Sequence, residues 1–329
     1  MSSTYPSEPS NAGKETAESL AEKIQGLLKG TPDAQCHLLL QPPQQSDSSW
    51  STLQQMIQNE ALSVTPIRIE KIPGNLWPCL LTLNLDRGMQ AYISALAAEM
   101  ACENAQLGQL RRGRTQSVAA WIFSQKAAPE VARSISMLAL TRFTGETSRR
   151  WIRYYDPLIT DLVWEICSQE QRASWLRQID AWAYRDRRGN LAVLRSQVSH
   201  QESQETLSLP PRFQFGPDVL PKLQTIGALN QAWIRALRCG KEPSRHQLSA
   251  ASRAMTVAWS AGLRSTADLD LFAWHAISLG GEFHMHPTVQ EILAQVHAGT
   301  ETYCGLAQHC DIGQWQGSAE RRSSDASYG

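Results

Sequence analysis

The side chains best suited to chemistry stand near the end of the chain: His284, His286, His297, Cys304, His309 and Cys310. Imidazole and thiolate are zinc ligands, so a metal centre is the chemistry to weigh first. Their spacing is irregular and matches no standard finger, and ligand types without ligand spacing do not define a site. No metal and no cofactor are therefore expected, and these residues are read as surface or partly buried. Trp274-His275 falls inside a helical pattern, where a neutral imidazole is favoured as a core or boundary residue. The phosphate-binding Gly-x-x-x-x-Gly-Lys-Ser/Thr loop, the Gly-x-Ser-x-Gly elbow, the His-Glu-x-x-His helix and the Gly-x-Gly-x-x-Gly turn are all missing. Their absence removes the common kinase, hydrolase and dehydrogenase readings but not every enzyme.

Two basic groups remain. Arg111-Arg112-Gly113-Arg114 reads as a solvated turn in preference to an anion site. Arg142, Arg149, Arg150 and Arg153 form a stripe that runs into Asp156. An exposed strand face with one Arg–Asp pair is the favoured reading, because such pairs add little when solvated. The alternative is a partner-facing surface, since Arg and Tyr are common interface hot spots. Thirty-one basic and thirty-one acidic residues leave no net charge, which argues against a general nucleic-acid surface. Seven scattered cysteines with no Cys-x-x-Cys read as reduced thiols. No secretory leader or membrane-spanning run is found. A cytoplasmic protein without membrane insertion is expected.

These residues need a scaffold, and 329 residues suffice for a large core or two domains. Residues 1–15 are Ser/Pro/Glu-rich and expected to be disordered, and 16–29 form a helix. Strands are expected at 36–40, 67–69, 80–83 and 118–123, and helices at 50–60, 88–102 and 129–140. The helix over 88–102 is predicted to bury Met89, Tyr92, Ile93, Leu96, Ala97 and Met100. Ser168-Gln169-Glu170-Gln171 is a capping box opening a helix that buries Trp175, Leu176 and Ile179. Asp180–Val198 reads as a hairpin turned at Arg188-Gly189-Asn190. The predicted fold is an α/β N-terminal lobe over 16–198, a mixed sheet with covering helices. A linker over 199–217 and an all-helical lobe over 218–312 follow, then a disordered tail over 313–329. In the second lobe, Ser265-x-x-Asp268 and Thr288-x-x-Glu291 look like capping boxes, and Gly280-Gly281 like a helix stop.

The stretch Arg149-Arg150-Trp151-Ile152-Arg153-Tyr154-Tyr155-Asp156-Pro157 ties the first lobe together. Its bulky and β-branched residues favour a strand, and Asp156 and Pro157 favour an abrupt helix start. Arg153-Tyr154-Tyr155-Asp156-Pro157, between a strand and a Leu/Ile-rich helix, resembles the type VI secretion adaptor (effector-chaperone) family. The similarity runs from about Cys36 to Arg185, with an echo at Ala261–Leu269 and Leu279–Phe283. It departs at Gln41-Pro42-Pro43, where the family usually has an acidic residue after the first strand. The resemblance implies a non-catalytic adaptor that binds a secreted effector protein in the cytoplasm and helps load it onto the VgrG spike protein. A cytoplasmic enzyme with its site between the lobes is the alternative from another class. A nucleic-acid module using the Arg stripe is the third.

Overall fold

In the computed structural model residues 15–31, 33–43, 48–70, 72–111, 116–143, 147–195, 214–216, 218–310 and 315 are described. The chain divides into two units, the first ending at Phe215 and the second beginning at Gly216. The first unit opens with α1 (Ala17–Lys29), β1 (Gln35–Leu40), α2 (Ser48–Asn59), β2 (Val64–Pro66) and β3 (Cys79–Leu83). It continues through α3 (Gly88–Asn104), α4 (Leu107–Arg111), β4 (Val118–Ser124), α5 (Ala128–Ala139), β5 (Leu140–Phe143) and β6 (Arg149–Trp151). It closes with α6 (Pro157–Ile166), α7 (Gln169–Trp175), β7 (Ala181–Arg185), β8 (Leu191–Arg195) and β9 (Gln214–Phe215).

Six strands form one sheet in the order β2-β3-β1-β4-β7-β8, and every neighbouring pair is antiparallel. Among the described residues parallel pairing occurs only between β5 and β9, in a separate small sheet ordered β6-β5-β9. The mixing of directions expected for the sheet is therefore confined to that small one. All seven residues of β4 are buried, as its unbroken apolar run requires of a strand covered on both faces. Alternation along β1, β4 and β7 sorts the two faces. Cys36, Leu38, Leu40, Trp121, Phe123, Ala181 and Ala183 join Leu20, Ile24, Leu53, Ile93 and Ala97 of the first three helices in one core. Trp182 of β7 falls on the other face, beside the Tyr154 corner. His37 on β1 is fully buried and satisfied, by the Thr82 hydroxyl at 3.0 Å and the Lys126 carbonyl at 3.1 Å.

Four local expectations in this unit are corrected. The strand placed at 67–69 ends at Pro66; Ile67 and Ile69 are buried beyond it, and Ile67 keeps one bond, from its N–H to Pro78 O. The helix over 88–102 forms, but Met89 and Tyr92 are exposed, Tyr92 by 59%. Gln90 and Ser94 are buried instead: Gln90 Oε1 accepts from Asn84 N–H at 2.6 Å and Ser94 Oγ from the Trp121 indole at 3.2 Å. Residues satisfied in this way are cheap to bury, so apolarity alone misread the face. Glu15, placed in the disordered leader, pairs with Lys23 and accepts from Leu191 N–H at 2.6 Å, next to the hairpin turn. Residues 1–14, Arg112–Arg114 of the basic turn, 196–198 of the expected hairpin, and 199–213 and 217 of the expected linker lie outside the described residues. Gln214–Phe215, placed in that linker, form β9.

The second unit contains α8 (Val219–Arg238), α9 (Arg245–Ser260), α10 (Thr266–Leu279), α11 (Pro287–His297) and α12 (Tyr303–Ala307). Gly280 leaves α10 at φ 103°, a backbone state open mainly to glycine. At Gly281 a Cβ would stand 2.4 Å from Ala250 Cβ and 2.6 Å from its carbonyl carbon, so the chain passes α9 only without a side chain. Ser265 caps α10, but Asp268 does not return the bond; its carboxylate accepts from Cys304 N–H at 2.9 Å and fastens α12. The box expected at Thr288 is displaced: α11 starts at Pro287, capped by His286 Nδ1, which accepts from Thr288 N–H at 3.3 Å. Trp315, placed in the disordered tail, is 2% exposed and packs on His275 and Phe283. Residues 311–314 and 316–329 lie outside the described residues.

Candidate functional site

β6 is shorter than its composition suggests, for a reason in its partner. β5 follows α5 directly at Leu140, and Trp151 pairs with that first strand residue. The next N–H, of Ile152, already donates to Ala139 O at the end of the helix, at 2.9 Å. With no strand left opposite, residues 152–155 leave the ladder, and a turn closes from Asp156 N–H to Arg153 O at 2.8 Å. Asp156 then caps α6 by accepting from Leu158 N–H at 3.1 Å, with Pro157 at the first helical position. Thr160 Oγ donates to Tyr154 O at 3.0 Å and Asp156 O at 2.8 Å, which ties the turn to the helix.

Tyr154 and Tyr155 are each 1% exposed. Tyr154 meets Trp175 edge-to-face at 4.5 Å and Trp182 at 6.0 Å, and its hydroxyl reaches Ile135 O at 3.4 Å. Trp164 and Trp182 flank Trp175 at 5.4 and 5.8 Å, so the corner is nailed to the sheet by aromatic rings. Burial pushes both phenols up, that of Tyr155 to about 12. The tyrosines of the motif therefore hold the corner in place.

Arg153 stays outside this packing. Its side chain is 32% exposed, and its guanidinium donates to Gln41 Oε1 at 2.8 Å and pairs with Asp156 at 3.2 Å. It lies 5.9 Å from the ring of Trp151, which is 40% exposed. Burial pushes the Asp156 carboxyl up, against the opposing pull of Arg153, Leu158 N–H and Arg187. Gln41 is buried and stands where the first strand leaves the sheet, so a neutral acceptor takes part of the arginine. Behind the helix, Arg187 grips Asp161 with two bonds of 2.9 Å and also donates to Leu158 O. The geometry gives a ridge of one indole and one guanidinium, side chains of the kinds that interfaces favour.

The remaining candidates fall apart or into cores. Arg142 and Arg149 face each other across β5 and β6, and Arg150 lies over Phe143 at 5.6 Å. His275 Nδ1 is bonded to the Tyr303 hydroxyl at 2.8 Å, and burial, then the charge of Arg235, pushes its pKa down to about 4. His284 is bonded to Gly281 O and His286 caps α11. Burial pushes the Cys304 thiol up to about 11, with the Asp268 carboxylate adding to the effect, so thiolate is disfavoured there. Among the described residues no three His, Cys, Asp or Glu side chains group to hold a metal. None of the described helices is long and apolar enough to cross a membrane.

Sequence reasoning named Gln41 only as a departure from the family pattern and Trp151 only as a strand former, and it did not name Arg187. Gln41 meets Arg153 across 112 positions, a separation that leaves no local pattern to read. Trp151 carried a usable signal, an aromatic beside Arg at the end of a short strand. The first unit thus belongs to the layered α/β class, an antiparallel sheet with helices, and the second is all-helical. Comparison with protein-family models, curated proteins and solved structures gives no match to this chain.

Proposed function

We propose that this protein is a non-catalytic adaptor that binds a type VI secretion effector in the cytoplasm and helps load it onto the VgrG spike, as its resemblance to that adaptor family implies. The observation that supports the reading is the Trp151–Arg153 ridge. An exposed indole and a partly exposed arginine side chain are held on a corner whose two tyrosines, with Trp175 and Trp182, are buried. Trp and Arg are the residues that most often carry binding energy at protein interfaces. A preset corner also loses little conformational freedom on binding. Binding a free effector stabilises its loadable form by mass action, and moderate affinity lets it be handed on.

The test is co-purification of effector and spike from native cells with tagged wild-type protein and with Trp151→Ala/Arg153→Ala. Hot-spot truncations cost about 2 kcal/mol each, enough to remove most of the bound effector. The double variant should fold, because both side chains are at least partly exposed. A folded double variant that retains effector and spike at wild-type levels would remove this corner from the binding surface.

A further inference from the structure

The second unit segregates its charge. Residues 218–310 contain seven Lys or Arg and seven Asp or Glu. Arg235, Arg238, Lys241 and Arg245 nevertheless lie within one short stretch whose only acid is Glu242, and all five are exposed. α8 ends at Arg238 and α9 begins at Arg245, so the stretch forms one end of that helical pair. The guanidinium of Arg235 lies 4.3 Å from the ring centroid of Trp274, a half-buried residue of α10, which brings the third helix to the same end.

The helix dipole accounts for part of this. Arg235 and Arg238 sit in the last turn of α8, where positive charge is favourable. It does not account for the placement of Arg235 on the ring of Trp274. Arg235, Arg238 and Lys241 pair with no carboxylate among the described residues. A guanidinium laid on an indole keeps its N–H edge free for a carboxylate, and the stack holds it ready for a two-bond pair.

We propose that this end of the second unit is an interaction surface for an acidic segment of a partner protein, with Arg235 on Trp274 as its anchor and Arg238 and Lys241 as flanking charges. Charge complementarity names the occupant: a peptide carrying several Asp or Glu side chains. A nucleic-acid strand fits less well, because the balanced charge of the unit gives its long phosphate run no continuous basic track. The surface stands whether or not the first unit loads an effector.

The test uses the full chain and a fluorescent peptide rich in Glu and Asp, read by anisotropy. A peptide of the same length with Gln and Asn replacing the acids, and a single-stranded oligonucleotide, serve as comparisons. The acidic peptide should bind, the neutral one should not, and added salt should weaken binding. Arg235→Glu should lower affinity by at least about tenfold, as loss of a hot-spot arginine does. Arg235→Lys should fall between, because the charge stays and the flat stack is lost. If Arg235→Glu fails to fold by circular dichroism, Arg238→Glu with Lys241→Glu reads the same surface through two exposed side chains. No binding of the acidic peptide, equal binding by folded charge-reversed protein, or tighter binding of the oligonucleotide would each overturn the proposal.

Discussion

Each unit is closed by an aromatic cluster, and the two differ in one chemical respect. In the first, Tyr154, Tyr155, Trp164, Trp175 and Trp182 pack mostly edge-to-face. In the second, Phe283, Tyr303 and Trp315 surround His275, and Phe272 packs on Phe283 and Tyr303, with similar spacing. Ring packing stabilises both in the same way. Their responses to acid should be opposite. The group that titrates beside the first cluster is Asp156, whose carboxyl is pushed up by burial. Its stabilising contribution is full at acidic pH and is lost as pH rises through its folded pKa. His275 is pushed down from 6.5 to about 4, again by burial first. Its contribution is full above 6.5 and is lost as pH falls through 4, because the unfolded chain takes up the proton first.

The largest effect that would sharpen this contrast comes from Trp175, which is fully buried between Tyr154, Trp164 and Trp182. Trp175→Ala should cost about 3–5 kcal/mol, as large-to-small changes in aromatic cores do. Hydrogen exchange should show the loss in peptides of residues 118–185. A cost below about 1 kcal/mol would mean that the ring cluster does not hold the corner.

Next in size is the acid response of the second unit. Between pH 6.5 and 4 the His275 shift should remove on the order of 3 kcal/mol of stability. Denaturation at a series of pH values should show that His275→Gln is flatter than wild type over this window, whatever its stability at pH 7. Parallel curves for the two proteins would break the comparison. Removing the Tyr303 hydroxyl leaves His275 Nδ1 without its partner, so Tyr303→Phe should cost about 1–3 kcal/mol.

The smallest effect belongs to the cap. Asp156→Ala should cost about 1 kcal/mol at neutral pH, whereas Asp156→Asn should stay within a few tenths, because an amide oxygen still caps the helix. As pH falls from 7 towards 4, wild type should gain on Asp156→Asn, the sign opposite to that at His275. A gap that instead widens in favour of Asn at low pH would show that the Arg153 pair outweighs burial.

Local rules carried most elements of both units. The Ser168–Gln171 capping box forms with both of its bonds, the Arg188-Gly189-Asn190 turn joins β7 to β8, and Gly280 stops α10. Asp156 caps α6 as its position before Pro157 suggested. Each of these depends on neighbours within about four positions, so the signal is present in the chain itself. Contacts across the chain decided the rest. β6 stops at Trp151 because β5 begins where α5 ends, a fact about the partner strand that β6 does not encode. Gln90 and Ser94 are buried because Asn84 and Trp121 supply their donors. Asp268 gives its bond to Cys304 instead of closing a local box. Residue types and short spacings specified which elements form; pairing, burial and bonds between distant positions specified where they end and which face they hide.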